Sequence, residues 1–195
     1  MSILNNVLNN VQEYVVNLTG VRLLPDRLLH PRGTNVETLP IPGYCQTQTY
    51  TCGFVAGLMI LRYFRPDYPA ERLYGIVRPD PRWGTSRRRL KMALEVSGLR
   101  VSQRRNLDFK GICAAIDHRK PIAVVVDVDE QTSHWVVVYG YGRKPNRVYV
   151  AANGLPLLSR KEYPWGSFKQ YLWSEPGIGL VCSGPKDAPD QARPK

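Results

Sequence analysis

Long apolar runs are missing from this 195-residue chain. None approaches the roughly 18 to 20 residues that a membrane-spanning helix needs, and mean hydropathy is -0.31, so no membrane span is expected. The first twenty residues, MSILNNVLNNVQEYVVNLTG, lack both a basic leader and an unbroken apolar stretch, so a cleaved secretion signal is not expected. A cytoplasmic location is expected, or delivery into another cell as an effector without such a signal. Cysteine is sparse: Cys45, Cys52, Cys113 and Cys182 are scattered without CxxC spacing. Neither a zinc site nor a disulfide framework fits that pattern, and reduced thiols are the expectation. Acidic residues are also few, 16 against 27 Lys and Arg, giving a net charge of +11 and suggesting an acidic partner surface. The densest basic segment, RWGTSRRRLKMALEVSGLRVSQRR, carries no stacked-aromatic pattern and no nucleic-acid motif. It reads as a solvated helix face, and a nucleic-acid partner is not expected.

What is present is the composition of a folded protein, 43% hydrophobic and 10% aromatic, at a length that suits a single domain. Ile3, Leu4, Val7, Leu8, Val11 and Val15 predict an amphipathic helix over about 3–18, followed by a Pro-, Arg- and Gly-rich loop up to Gly43. Cys52 to Phe64 is apolar on most faces and stops before Pro66, as a buried helix would. A short helix is predicted over Ala70–Ile76, a longer one over Thr85–Ser97 and a further one over Leu107–His118. Thr85 or Ser86 would cap the second of these and Gly98 would stop it. GLRV begins a strand. PIAVVVDVD, HWVVVYGYG and RVYVAAN are short β-branched and aromatic runs separated by turn residues, the pattern of successive antiparallel strands. GIGLVCSG adds another, and PKDAPDQARPK is a polar tail expected to be disordered. Helices first and strands after imply an α+β fold. The expected organisation is an N-terminal extension over 1–40, a main folded domain over 41–183 and a tail over 184–195.

One stretch raises a question of chemistry. CQTQTYTCGFVAGLMIL holds two cysteines, Cys45 and Cys52, around a polar run. Cys52 opens the main helix, where unpaired amide groups stabilise a thiolate and lower its pKa. Gly53 behind it lets the backbone approach a substrate carbonyl, and the Cys52 amide could serve as an oxyanion donor. The plainer alternative is a buried helix cysteine. Of the three histidines, His30 lies in the Arg/Pro loop and His118 at a basic helix end, while His134 opens the strand HWVVVYGYG. The next strand ends at Asn153. Paired through the GRKPN turn, these strands would make His134 and Asn153 neighbours, a base and the group that orients it. A core histidine and a turn asparagine are the plainer alternatives.

Taken together, these residues resemble the papain-like cysteine peptidases. The pattern runs from Gln46 across five residues to Cys52-Gly53, then to Ser-His134-Trp-Val-Val-Val and a strand ending in a polar residue. It is most similar to the bacteriocin-processing group that cleaves double-glycine leader peptides. GTSRRRLKMALEVSGLRV resembles that group's segment between the two halves of the site, and KPIAVVVDVD the strand before the histidine strand. The resemblance spans roughly Ile41 to Gly154. It implies Cys52 as nucleophile, His134 as base, Asn153 as orienter and Gln46 as oxyanion donor, with Gln48 as a competing donor at a less fitting spacing. Two departures stand out. Asn153-Gly154 occupies the place of the group's usual Asp-Pro, and the exporter's transmembrane and nucleotide-binding parts are absent, so a free-standing domain is expected.

The expected activity is hydrolysis of a peptide or isopeptide bond in a peptide or small protein, through thiolate attack and an acyl-enzyme, with no metal or organic cofactor. The same residues would serve an acyltransferase or a side-chain deamidase of this fold, and a catalytically inactive basic binding module is the non-enzymatic alternative. Cys45 is read as a loop cysteine near the site entrance, and Cys113 and Cys182 as core residues.

Overall fold

The computed structural model describes residues 21–23, 35–46, 48–127, 132–152 and 160–185. The N-terminal helix expected over 3–18, His30 and most of the polar tail lie outside them. Two short strands, β1 (Val21–Leu23) and β3 (Tyr44–Gln46), pair antiparallel, with Arg22 opposite Cys45. Cys45 thus sits in a strand and not in the loop expected for it, and β1 and β2 (Val36–Thr38) form inside the stretch read as a loop up to Gly43. A single 3-10 turn, Thr49–Thr51, then delivers the chain into α1 (Cys52–Phe64).

Helix α1 begins and ends where its sequence pattern does. Ten of its residues, Cys52 to Leu61, are buried, consistent with a helix that is apolar nearly all round. Leu73 of α2 (Ala70–Val77) and Leu90 and Leu94 of α3 (Arg87–Val96) enclose it around Gly57. Of the two candidate caps for α3 it is the Ser86 side chain that accepts from the Arg89 amide, at 3.3 Å. After β4 (Arg100–Arg104) the chain forms α4 (Phe109–Asp117), capped by Asp108.

The remaining strands are β5 (Ile122–Asp127), β6 (Ser133–Gly142), β7 (Arg147–Ala152), β8 (Arg160–Pro164) and β9 (Gly179–Ser183). They form one antiparallel seven-stranded sheet in the order β4-β9-β5-β6-β7-β8, with β2 also on β6. Strand β6 is the axis. Its first half pairs with β5 up to Val138 opposite Ile122, and β2 takes over that edge at Gly140 to Gly142. A register shift between Val138 and Gly140 marks the change. Gly140 is required there, since a Cβ would lie 2.6 Å from the Thr38 side chain and 2.7 Å from the Glu37 carbonyl. Near the C-terminus an aromatic cluster of Phe109, Trp165, Phe168 and Trp173 closes the core. Cys113 and Cys182 are buried in it, as their helix and strand patterns indicate. The result is an α+β molecule, helices packed on an antiparallel sheet.

Candidate active site

Cys52 is the first residue of α1, and α1 packs on β6. Its thiol is met by three backbone amides, those of Trp135, of Gly53 and of Cys52 itself. Two belong to the open first turn of the helix, as a helix N-terminus provides. The third is the amide joining His134 to Trp135, so the sulfur is brought to the start of β6 and to the backbone of the predicted base.

Close packing sets this approach. A Cβ on residue 53 would come within 2.6 Å of the Thr85 Cβ and 2.9 Å of the Trp135 Cδ1, so only glycine lets α1 and β6 come together here. The Trp135 indole nitrogen donates to the Thr85 carbonyl at 2.7 Å in a buried contact. Thr85 follows Gly84, which adopts φ +66 in a turn closed by Asp80. Asp80 pairs with Gly84 through both backbone hydrogen bonds, and its carboxylate accepts from the amides of Arg82 and Trp83. Trp135 and Thr85 therefore clamp the nucleophile helix against the histidine strand. Sequence reasoning passed over this clamp. Its traces were a tryptophan in an otherwise valine-rich strand and the Gly-Thr pair before α3.

Gln46 ends β3, and the 3-10 turn separates it from Cys52. Its Nε2 donates to the Thr49 carbonyl at 3.5 Å, while its Oε1 is buried without a partner. Gln48 is exposed, and its carbonyl accepts from the Thr51 amide at 3.2 Å and the Thr51 hydroxyl at 2.8 Å, which fixes the turn leading into Cys52. The other buried side-chain atom without a partner among the described residues is Thr85 Oγ1. Thr85 packs against Gly53, the residue after Cys52, and Gln46 stands six residues before Cys52 in the chain. Buried polar groups left unpaired cost about 1 to 3 kcal/mol each, and they collect at functional sites.

The electrostatics differ from the sequence expectation in one respect. Helix-start amides were expected to lower the Cys52 pKa; burial pushes the thiol up, and the three amides offset this only in part. Trp135 and the packed helix exclude the water that a lone thiolate would need. His134, half-buried and paired across the sheet with Val126, is pushed below its ordinary value by desolvation. Both groups accordingly favour their neutral forms at neutral pH. Asn153 lies outside the described residues; β7 is described up to Ala152, which pairs with Val136 two residues beyond His134. His118 caps α4, its Nδ1 2.7 Å from the Ala114 carbonyl, and lines a cavity that neither Cys52 nor His134 lines.

Helices packed on this antiparallel sheet give the fold of the papain-like class of cysteine peptidases, with Cys52 at the start of α1 and His134 the second residue of β6. The family model described as Peptidase C39 matches residues 41–165, and the chain belongs to that family of cysteine peptidases. Solved structures with the same fold include a double glycine motif protease from an AMS/PCAT transporter in complex with its leader peptide. It is 18% identical, with a TM-score of 0.56, covering 80% of this chain and 98% of that one. The peptidase domain of Streptococcus ComA, a bifunctional ABC transporter involved in quorum sensing, is 17% identical with a TM-score of 0.57, covering 72% and 96%. A putative C39-like peptidase from Bacillus anthracis is 13% identical with a TM-score of 0.60, covering 77% and 98%. Among curated proteins the sequence has no significant match. No helix among the described residues is long and apolar enough to cross a membrane.

Proposed function

We propose that Cys52 is the nucleophile of a peptidase that cleaves a peptide or isopeptide bond in a peptide or small-protein substrate, with His134 as base, Asn153 as orienter and Gln46 as an oxyanion donor. The observation that carries the reading is the close packing of the Cys52-Gly53 helix start on Trp135, the residue that follows His134. In this reading the resting pair is a neutral thiol and a neutral imidazole. As the sulfur attacks the scissile carbonyl, its proton passes to His134, which then returns it to the departing amine. Water attacks the acyl-enzyme, with His134 again as base, and the acid product leaves. The Cys52 amide at the helix start and the Gln46 side chain would receive the oxyanion, the latter by turning its amide so that Nε2 faces the substrate.

The peptide-bound relative makes a leader-type peptide with a double-glycine site the first substrate to try. Intact-mass analysis of such peptides incubated with wild type and Cys52→Ala tests the proposal. Wild type should yield two fragments whose masses sum to the peptide plus one water, and the variant none. Cleavage that survives in Cys52→Ala would refute it. A mass gain of one unit without cleavage, or an amine adduct, would mean a deamidase or acyltransferase instead.

A further inference from the structure

A cavity of about 590 Å³ lies away from Cys52, between the edge strand β4 and helix α4. The helix face turned to it is Gly111, Ala114, Ala115 and His118, spaced at helical intervals and mostly small, which leaves the space open. Arg104 and Arg105 line it from the end of β4, and Lys120 from the loop before β5; no acidic side chain lines it. Some cations elsewhere on the described surface stand beside carboxylates, as in Lys91–Glu95 and Arg143–Asp117. None of the ion pairs among the described residues includes Arg104, Arg105 or Lys120. Asp108, the carboxylate next along the chain, accepts from the Gly111 amide at 2.7 Å as the helix cap. Three cations sharing one groove without a counter-charge repel one another, and an anionic occupant removes that cost.

The form of the occupant follows from the rest of the wall. Leu107 and Val181 supply apolar contact and Gln103 and Asn106 amide groups, with no aromatic ring for a nucleobase to stack on. Guanidinium groups suit carboxylates because they bind them two-pronged. In addition, among the described residues β4 ends the sheet and bonds to β9 alone, which leaves its other edge for an added strand. We propose that this groove binds an acidic, extended segment of the polypeptide substrate at a distance from the scissile bond, a proposal that rests on the peptidase reading of Cys52.

Fluorescence anisotropy with the full chain carrying Cys52→Ala tests it without turnover. The probes are a fluorescein-labelled octapeptide with four glutamates, its glutamine counterpart and an eight-nucleotide oligothymidylate. The glutamate peptide should bind at least tenfold more tightly than the glutamine one, weaken between 50 and 200 mM salt, and lose at least tenfold in Arg104→Glu/Arg105→Glu. Lys120→Gln, a milder change, should lose severalfold and covers the case in which the double variant fails to fold. Appending the glutamate segment to a cleavable peptide should lower KM in the otherwise wild-type enzyme and not in the charge-reversed one, with kcat unchanged in both. Equal binding of the two peptides, binding indifferent to charge reversal, an unchanged KM, or tighter binding of the oligothymidylate would each overturn the proposal. Alkylation of Cys52, followed in parallel on the chain that retains it, separates the two readings: lost binding with a reactive Cys52 removes the groove alone, and retained binding with an inert Cys52 removes the nucleophile alone.

Discussion

The two ends of β5 lead to surfaces built on opposite principles. At one end Val126 pairs with His134, and the surroundings are closed: Cys52 is 7% exposed, Trp135 is 5% exposed, and the Thr85 hydroxyl is buried without a partner. At the other, Ile122 pairs with Val181 and the chain opens onto a groove lined by Arg104, Arg105 and Lys120. Bond-making needs a few groups held tightly in a dry place, where each hydrogen bond counts for more. Capture of a charged segment needs the reverse, charges left solvated and free to meet a partner. One sheet carries both because its strands are long enough to separate them.

The largest effect that would sharpen this contrast is on rate. Cys52→Ala should abolish cleavage, a loss on the order of 10⁴-fold or more, with melting temperature kept within a few degrees; fragment yield by mass spectrometry checks it. Gln46→Ala should slow turnover roughly a hundred- to a thousandfold with little change in melting temperature, because its Oε1 makes no hydrogen bond that folding would miss. Steady-state rates on one peptide, beside those of Gln48→Ala, decide between the two donors, and a wild-type rate in Gln46→Ala would move the role to Gln48.

Stability effects come next. Gly53→Ala drives a Cβ into Thr85 and Trp135 and should cost about 1 to 3 kcal/mol, a drop of several degrees in a thermal melt. Gly111→Ala, on the groove side, meets Asp108 Oδ1 and Leu107 Cδ2 only at 3.3 Å. It lies in a helix that alanine favours, so it should stay within about 1 kcal/mol of wild type. Equal melting temperatures for the two variants would break the comparison of a tight pole with an open one.

The smallest effect is on pH dependence. His134 has its folded pKa depressed below 6.5 by burial, so between the folded and unfolded values the unfolded chain binds more protons. The stability linked to His134 is therefore present above about pH 6.5 and is lost as pH falls through the lower folded value. Activity that needs a neutral imidazole should have its acid limb below that ordinary value too. A pH-rate profile on a small peptide checks this, and a limb at or above 6.5 would contradict a desolvated base.

Local pattern and tertiary contact divide what the sequence makes legible. Helix α1 is readable at both ends because an unbroken apolar run and Pro66 are local signals. Strands β5, β6 and β7 are readable as β-branched runs. The insertion of β9 between β4 and β5 is not, since nothing within GLVCS says which edges it will join. Strand β8, RKEYP, hides behind charges and proline because it ends the sheet, where such residues guard an open edge. The same division runs through the site. Cys52 and His134 stand out by position, whereas the Trp135–Thr85 clamp joins residues 50 apart in sequence. The upward push on the Cys52 thiol depends on burial, which no helix-start argument contains.

Covalent trapping tests the central claim, that Cys52 is the sulfur that attacks substrate. A peptidyl chloromethyl ketone ending in Gly-Gly, at limiting concentration and near-neutral pH, should add once to the wild-type chain, with peptide mapping placing the adduct on Cys52. His134→Ala should slow that addition strongly. An adduct on Cys45, Cys113 or Cys182 with Cys52 left free, or an unchanged trapping rate in folded His134→Ala, would contradict the account.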